Sequence, residues 1–296
     1  MRASIDCIPC FVRQTLEAAR FVSDYPSVHE GVLREILRCL ASLDLDRPPP
    51  FVGQMIHRRL RELTGNPDPY LDAKNRHNRL ALQLLPELKE LVRKSEDPLK
   101  TSVLLAITGN VIDLGARGDL TEDEVRSSMA RTFSEPFHID IEHLRREIGK
   151  ASSILYLADN AGEIVFDRLL IEELPVEQVT VAVRGAPVIN DAVMDDAKAA
   201  GLHGLVRLVS NGSDAPGTIL DDCSLEFQSC YKNADLVIAK GQGNYETLSS
   251  EEKNIFFLFK IKCGTVASHT GFKPGTNVLT RGSRSRKQPE GSTIGE

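Results

Sequence analysis

Tryptophan is absent from the 296 residues, and tyrosine is scarce, at 5 against 11 phenylalanines. So few flat aromatic rings make a poor platform for stacking nucleobases. An excess of positive charge is missing too. The formal charge is −6, with Lys and Arg scattered along the chain, which gives no electrostatic footprint for nucleic acid. No apolar run approaches bilayer length, and the opening Met1-Arg2-Ala3-Ser4-Ile5-Asp6 lacks an apolar signal segment. Membrane insertion and secretion are therefore not expected, and the default compartment is the cytoplasm. The six cysteines include one Cys-x-x-Cys, Cys7 and Cys10, with no second such pair and no paired histidines to complete a zinc site. A thioredoxin-like role would want a flanking βαβ pattern, so the preferred reading of the pair is small residues anchoring a helical cap, with metal or redox use as the alternative. Neither a Walker A motif nor a Gly-x-Gly-x-x-Gly fingerprint is present.

Hydrophobic residues make up 41% and charged residues 26%, enough for a substantial core. The first half reads as amphipathic helices over residues 11–22, 32–43, 51–63, 77–92 and 99–110, broken at Asp46-Arg47-Pro48-Pro49-Pro50 and Gly65-Asn66-Pro67-Asp68-Pro69. A charged helical stretch over 121–150 leads into a different pattern. Short apolar runs at 153–158, 178–183, 205–209, 235–239 and 264–267 alternate with helical periods, which predicts right-handed crossovers and a parallel sheet. The expected organisation is a helical domain or cap over 1–150, a Rossmann-like α/β domain in a three-layer sandwich over 151–280, and a disordered tail over 281–296. That tail carries Arg281, Arg284, Arg286 and Lys287, read as a solvated basic end.

Each predicted strand runs out into a polar turn, and ligands of open parallel sheets bind outside the carboxyl ends of the strands. After the first come Asp159 and Asn160, a carboxylate and an amide oxygen suited to a hard divalent cation. Asn190 and Asp191 follow the second strand, where Asp191 could meet the same ion. Each could equally cap the helix that follows it. Two such turns on neighbouring strands tilt the balance to metal. Lys240-Gly241-Gln242-Gly243-Asn244 offers glycines for close backbone approach to an anion, a weak signal by itself. Asp214 could bind substrate or orient a water, although its Asn211-Gly212-Ser213 neighbours suit a simple turn better. Lys262 is read as a solvated lysine at the end of a helix beginning near Asn254. His57 and His77 are expected at the surface, His138 before a loop, and His269 in the last exit loop. Asp72-Ala73-Lys74-Asn75 and Asn110-Val111-Ile112-Asp113 are candidates for a seam beside the site, or simple caps.

Taken in order, Asp-Asn-Ala-Gly-Glu at 159–163, Arg-Gly-Ala-Pro-Val-Ile-Asn-Asp at 184–191, Lys-Gly-Gln-Gly-Asn-Tyr-Glu-Thr-Leu at 240–248 and Lys-Cys-Gly at 262–264 resemble the metal-dependent damage-control phosphatases. Asp-Cys-Ile-Pro-Cys-Phe at 6–11 and Gly-Asn-Val-Ile-Asp-Leu-Gly at 109–115 resemble the stand-alone microbial branch of that family, so the likeness spans nearly the whole chain before the tail. The resemblance implies a divalent metal (Mn, Co, Ni or Mg) held by Asp159, Asn160 and Asp191. It implies substrate contacts from Asn190, Gly241, Gln242, Gly243, Asn244, Tyr245 and Lys262, with Asp159 and Lys262 as the catalytic pair. It also implies hydrolysis of phosphate monoesters of small metabolites, such as sugar phosphates or damaged phosphorylated metabolites. Water is the preferred nucleophile, with attack by Asp159 itself as the alternative. Glu246 stands where related eukaryotic members carry a basic residue. Two other classes share the pattern. A methyltransferase dependent on S-adenosylmethionine would want a glycine-rich loop where Asp159 and Asn160 stand, and a non-catalytic metabolite sensor would use the same rim without turnover.

Overall fold

Ile154 and Tyr156 face one hydrophobic cluster while Leu155 and Leu157 face another, as the two-residue period of a strand requires. A strand hidden on both sides needs helices on both sides, which is why this run shows no polar alternation. In the computed structural model, which describes residues 1–109, 123–124, 126–127, 129–130 and 136–282, seven strands form one sheet. They are β1 (Phe137–Ile139), β2 (Ile154–Leu157), β3 (Val179–Val183), β4 (Arg207–Ser210), β5 (Leu236–Lys240), β6 (Ile255–Lys260) and β7 (Asn277–Arg281), in the spatial order β1-β7-β6-β5-β2-β3-β4. All neighbours are parallel except the antiparallel pair β6 and β7. The chain goes outward from β2 through β3 to β4, then returns to the other side of β2 with β5. That reversal is the topological switch point, where the carboxyl ends of β2 and β5 open a crevice.

The helices are α1 (Cys7–Val22), α2 (Pro26–Leu40), α3 (Pro49–Thr64), α4 (Leu71–Lys94), α5 (Pro98–Thr108), α6 (Ile141–Ile148), α7 (Glu163–Glu172), α8 (Met194–Ala199), α9 (Leu225–Asn233), α10 (Gly241–Leu248) and α11 (Gly264–Thr270). Prolines open α2, α3 and α5, where a missing N–H does no harm. The Asp97 carboxylate caps α5 by accepting from the Lys100 amide, and Gly65 ends α3 in the left-handed conformation. A core of Phe11, Ala19, Ile36, Ile56 and Leu60 joins α1, α2 and α3. By contrast Leu84, Val103 and Ala106 of α4 and α5 share one core with Ile154, Tyr156, Ile164 and Phe166 of β2 and α7. The architecture is the expected Rossmann-like sandwich with a helical N-terminal region. Packing, however, does not divide at residue 150: α4 and α5 belong to the layer over the sheet, and β1 is itself a sheet strand from before that point.

Other readings change as well. Residues 255–260 are a strand, not the helix expected from Asn254, because Ile-Phe-Phe-Leu-Phe is buried on both faces. Residues 264–267, expected as a strand, open α11. His57 and His77, expected at the surface, are both buried. Burial, with Arg61 nearby, drives the His57 imidazole down to a pKa of about 3. His138 lies in β1, its ring beside Phe272. Among the described residues no helix is long and apolar enough to cross a membrane. The seam candidates Asn110, Val111, Ile112 and Asp113, parts of the 121–150 stretch, and the tail from 283 lie outside the described residues.

Candidate active site

Leaving β2, the chain turns through Asp159 and Asn160 into Gly162, whose φ of 77° starts α7 at Glu163. The second loop leaves β3 at Arg184 and comes back so closely that Asn160 and Asp191 form an antiparallel bridge. Two backbone bonds stitch the loops together, Ala161 N to Asn190 O at 2.8 Å and Ala192 N to Asp159 O at 2.7 Å. Between Val188 and Asp191 the backbone bends sharply, and Ile189 is held at φ 47°, a conformation β-branched residues rarely take. Strain of this kind persists only where the surroundings enforce it. Its effect here is to bring the expected ligand residues Asp159, Asn160 and Asp191 together on one rim.

Arg184 lies between the two acids. Its Nε donates to Asp191 at 2.7 Å, and its Nη2 stands 3.5 Å from Asp159. Asp159 is crowded by negative charge: burial first, then Asp191 and Glu163, push its carboxyl well above the ordinary carboxylate range, against the pull of Arg184 and Lys262. The rim thus has more anionic oxygen than its own cations neutralise, and an added divalent cation would offset the excess.

The β5 exit completes the crevice. A Cβ on Gly241 would lie 1.9 Å from Asp159 Oδ2, and Gly241 has φ 78°, so only glycine lets α10 begin against that carboxylate. Gly243 serves a different approach, since its Cβ would meet the Pro216 carbonyl oxygen at 2.1 Å. Asn244 is wholly buried. Its amide nitrogen donates to Lys240 O at 2.7 Å and Ala158 O at 3.3 Å, while its oxygen accepts from Thr218 at 2.8 Å and from Arg184 at 3.4 Å. Its side chain therefore braces the β2 and β3 exits from below. Tyr245, one helical step on, points into the core against Phe257 and Phe259, with its hydroxyl 2.8 Å from His269 Nδ1. The structure does not bring that ring to the rim. Asn190 is buried, and its backbone oxygen serves the bond from Ala161.

Lys262 is exposed just past the end of β6, and its charge reaches Asp159 and Glu246. Gln242 fixes this segment: its oxygen accepts from Lys262 N at 3.0 Å, and its nitrogen donates to Glu246 at 2.8 Å. Burial pushes the Glu246 carboxyl up to about 7, opposed by Gln242, the N-terminal amine and Lys262. Asp214 proves to be a docking point for the cap. It takes bonds from Arg58, from Gln54 at 2.7 Å, and from Arg61, which also donates to Pro187 O at 2.7 Å. Asn78 of α4 reaches the site loop, accepting from Gly162 N at 2.7 Å and donating to Asp196 at 2.7 Å. A cleft of about 470 Å³ lies beside it, lined by Lys74, Asn75 and Asn78 of α4 and by Arg184, Pro187 and Asp195 of the sheet domain. Asp72, Lys74 and Asn75 thus begin a helix at this seam, where Lys74 pairs with Asp68 at 2.6 Å.

Three residues absent from the expected site stand in it: Arg184, Glu163 and Lys240. A signal existed for two of them, since Arg184 directly follows β3 and Lys240 ends the otherwise apolar β5. Glu163 reads in sequence as an ordinary acidic residue in a first helical turn. Among the described residues, no three His, Cys, Asp or Glu side chains gather to hold a metal. The expected set is instead two carboxylates and an amide oxygen, hard donors that fit Mg²⁺ or Mn²⁺ with water completing the shell. Gly241 packs directly against the Asp159 carboxylate, which fixes where that donor stands.

Comparison with known proteins identifies the family and the fold. A family model described as the damage-control phosphatase ARMT1-like domain matches residues 3–278. A damage-control phosphatase of Archaeoglobus fulgidus is 37% identical over 284 residues, covering 94% of this chain and 98% of that protein. One from Pyrococcus horikoshii is 32% identical over 287 residues, covering 95% and 98%. The crystal structure of a DUF89 family protein from Pyrococcus horikoshii superposes with a TM-score of 0.87 at 32% identity, over 95% of this chain and 99% of that one.

Proposed function

Since the chain belongs to the damage-control phosphatase ARMT1-like domain family, we propose that it hydrolyses phosphate monoesters of small metabolites with a divalent metal held by Asp159, Asn160 and Asp191. The observation that carries this reading is the bridge between Asn160 and Asp191, which brings an Asp-Asn pair and a second acid to the switch-point crevice. A divalent ion there would supply Lewis-acid polarisation of the phosphoryl group and activation of water.

The chain's own residues do the rest. Arg184, bonded to Asp191 and close to Asp159, holds both carboxylates in place. Lys262 lies near enough to influence Asp159 and offers a cation to the phosphoryl oxygens as charge develops on them. The first-turn amides of α10 present donors to the same group. Asp159 and Asp191 would hold the ion, which would lower their nucleophilicity, so water is the preferred attacking group. The cleft beside Arg184, walled by Lys74, Asn75 and Asn78, takes the alcohol portion of the substrate. Apolar lining from Leu71, Pro187, Val193 and Met194 sits beside a few polar groups there, a mixed surface that suits a small organic leaving group carrying some hydroxyls. We assign Gly241, Gln242 and Gly243 to shaping the phosphate side of the site, and Asn190 and Asn244 to holding its walls.

A panel of sugar phosphates and p-nitrophenyl phosphate, assayed for phosphate release with Mn²⁺, Co²⁺, Ni²⁺ or Mg²⁺, tests the reading. Turnover of at least one ester that is lost in Asp191→Ala, with the fold intact by circular dichroism, is the expected result. Tight binding of a phosphorylated metabolite without release of phosphate would favour a sensor instead.

A further inference from the structure

Behind the rim is a buried charge assembly that the hydrolysis does not itself use. Lys240 is completely buried, and its ammonium donates to Glu163 Oε1 at 2.6 Å, to Asp167 at 2.5 Å and to the Ala106 carbonyl at 2.8 Å. Burial works against that charge, but Asp167 and Glu163 outweigh it and hold the lysine above its ordinary pKa. The other oxygen of Glu163, Oε2, accepts from the Asn160 amide nitrogen at 3.2 Å. Asp159 Oδ2 lies at the same distance from that nitrogen.

An asparagine amide has two ends of nearly equal size and opposite character, one a donor and one an acceptor. Only the oxygen can ligate a cation, so half a turn about the last side-chain bond would abolish ligation. An isolated amide has little preference between the two. With Glu163 and Asp159 on one side, the reversed amide would set its oxygen against two carboxylates. We infer that Glu163, fixed by Lys240, is a positioning residue that selects the amide orientation in which Asn160 offers its oxygen to the cation. Lys240 takes up the far oxygen of Glu163, and this directs the near one at Asn160. The inference rests on the proposed reading of Asn160 as a ligand.

Calorimetric titration of Mn²⁺ into the chelator-stripped full chain tests it, using the wild type, Glu163→Gln, Asn160→Asp and the double variant. A glutamine at 163 can meet either end of the Asn160 amide, so the selection by Glu163 is lost and only Asp159 still favours the donor end on that side. The expected loss of Mn²⁺ affinity is about 10- to 100-fold, the range typical of groups that orient ligands. An aspartate at 160 has two oxygens and needs no selection. The loss caused by Glu163→Gln should therefore be smaller by about tenfold or more on the Asn160→Asp background than on the wild type. Equal losses on both backgrounds would mean that Glu163 supplies only charge or support to the loop, and the inference would fall. No loss on the wild-type background would overturn it as well. Thermal denaturation of each variant confirms folding. Should Glu163→Gln not fold, Glu163→Asp keeps the charge but draws the carboxylate back, and the same background-dependent loss is expected. A wild type that does not bind Mn²⁺ would remove the ligand set and the proposed function together. Binding without the background dependence would remove this inference alone.

Discussion

Gly241 shows how tightly single residues define this site. Alanine there would need φ 78° and would put its Cβ 1.9 Å from Asp159 Oδ2. Gly241→Ala should destabilise the fold by about 1–3 kcal/mol and weaken metal binding by displacing that carboxylate. Denaturant titration and calorimetry together check this, and normal values in both would contradict that packing. Lys262→Ala should lower kcat/KM by about 100-fold, the scale of one lost donor to a developing oxyanion. Unchanged kcat/KM would remove Lys262 from the reaction. At this scale the sequence was legible for position: Asp159, Asn160 and Asp191 were expected at strand exits, and the bridge between Asn160 and Asp191 brings those exits together. It was not legible for Tyr245, because neighbours on a helix point in different directions: Asn244 faces the strand exits and Tyr245 the core. Nor does Asn78 announce itself, since nothing in a helical pattern says which turn will meet a loop 84 residues away.

Helix α3 joins the cap to the rim through Gln54, Arg58 and Arg61, which meet the Asp214 carboxylate, a group whose charge depends on pH. The Asp214 carboxyl is raised by burial, but its bonds from Arg58 and Gln54 outweigh this and hold it below its ordinary value. Its contribution to stability is therefore complete above the ordinary aspartate pKa and disappears as pH falls through the depressed one. Asp214→Asn should remove that portion of the acid sensitivity and loosen the cap. His57 acts at higher pH. Its pKa falls from 6.5 unfolded to about 3 folded, so the neutral, buried ring stabilises fully above 6.5. Stability should drop as pH declines from there, by roughly 3 kcal/mol at pH 4 if the ring stays neutral. In His57→Leu this part of the slope should vanish, which urea titrations at pH 7, 5 and 4 would reveal; an unchanged slope would place the acid sensitivity elsewhere. Elements themselves were unevenly legible. The β2, β3 and β5 runs are short, apolar and bounded by turns, so they stood out. Residues 255–260 did not, because a run buried on both faces has no period, and its aromatic content was the better guide. The Gly-Thr-Val-Ala start of α11 was β-branched enough to suggest a strand, yet the sheet position was already taken by β6.

For the whole molecule, strand order determines where chemistry can occur. Alternation of strand and helix predicted the parallel sheet but not the return from β4 to β5 beside β2, and that return makes the crevice. Among the described residues the short edge strand β1 pairs only with β7, about 140 residues later, which local pattern cannot reveal. The helical half divides likewise by packing: α1, α2 and α3 have their own core, while α4 and α5 cover the sheet. Asn78 and Asp214 then connect both parts to the loops around Asp159. The proposed hydrolysis depends on a metal held at that residue. Phosphate release from p-nitrophenyl phosphate should be measured with chelator-stripped protein, with and without added Mn²⁺, beside Asp159→Ala. Activity restored by the metal in the wild type and absent from the variant is the predicted result; equal release by stripped and reloaded protein, or by the variant, would contradict it.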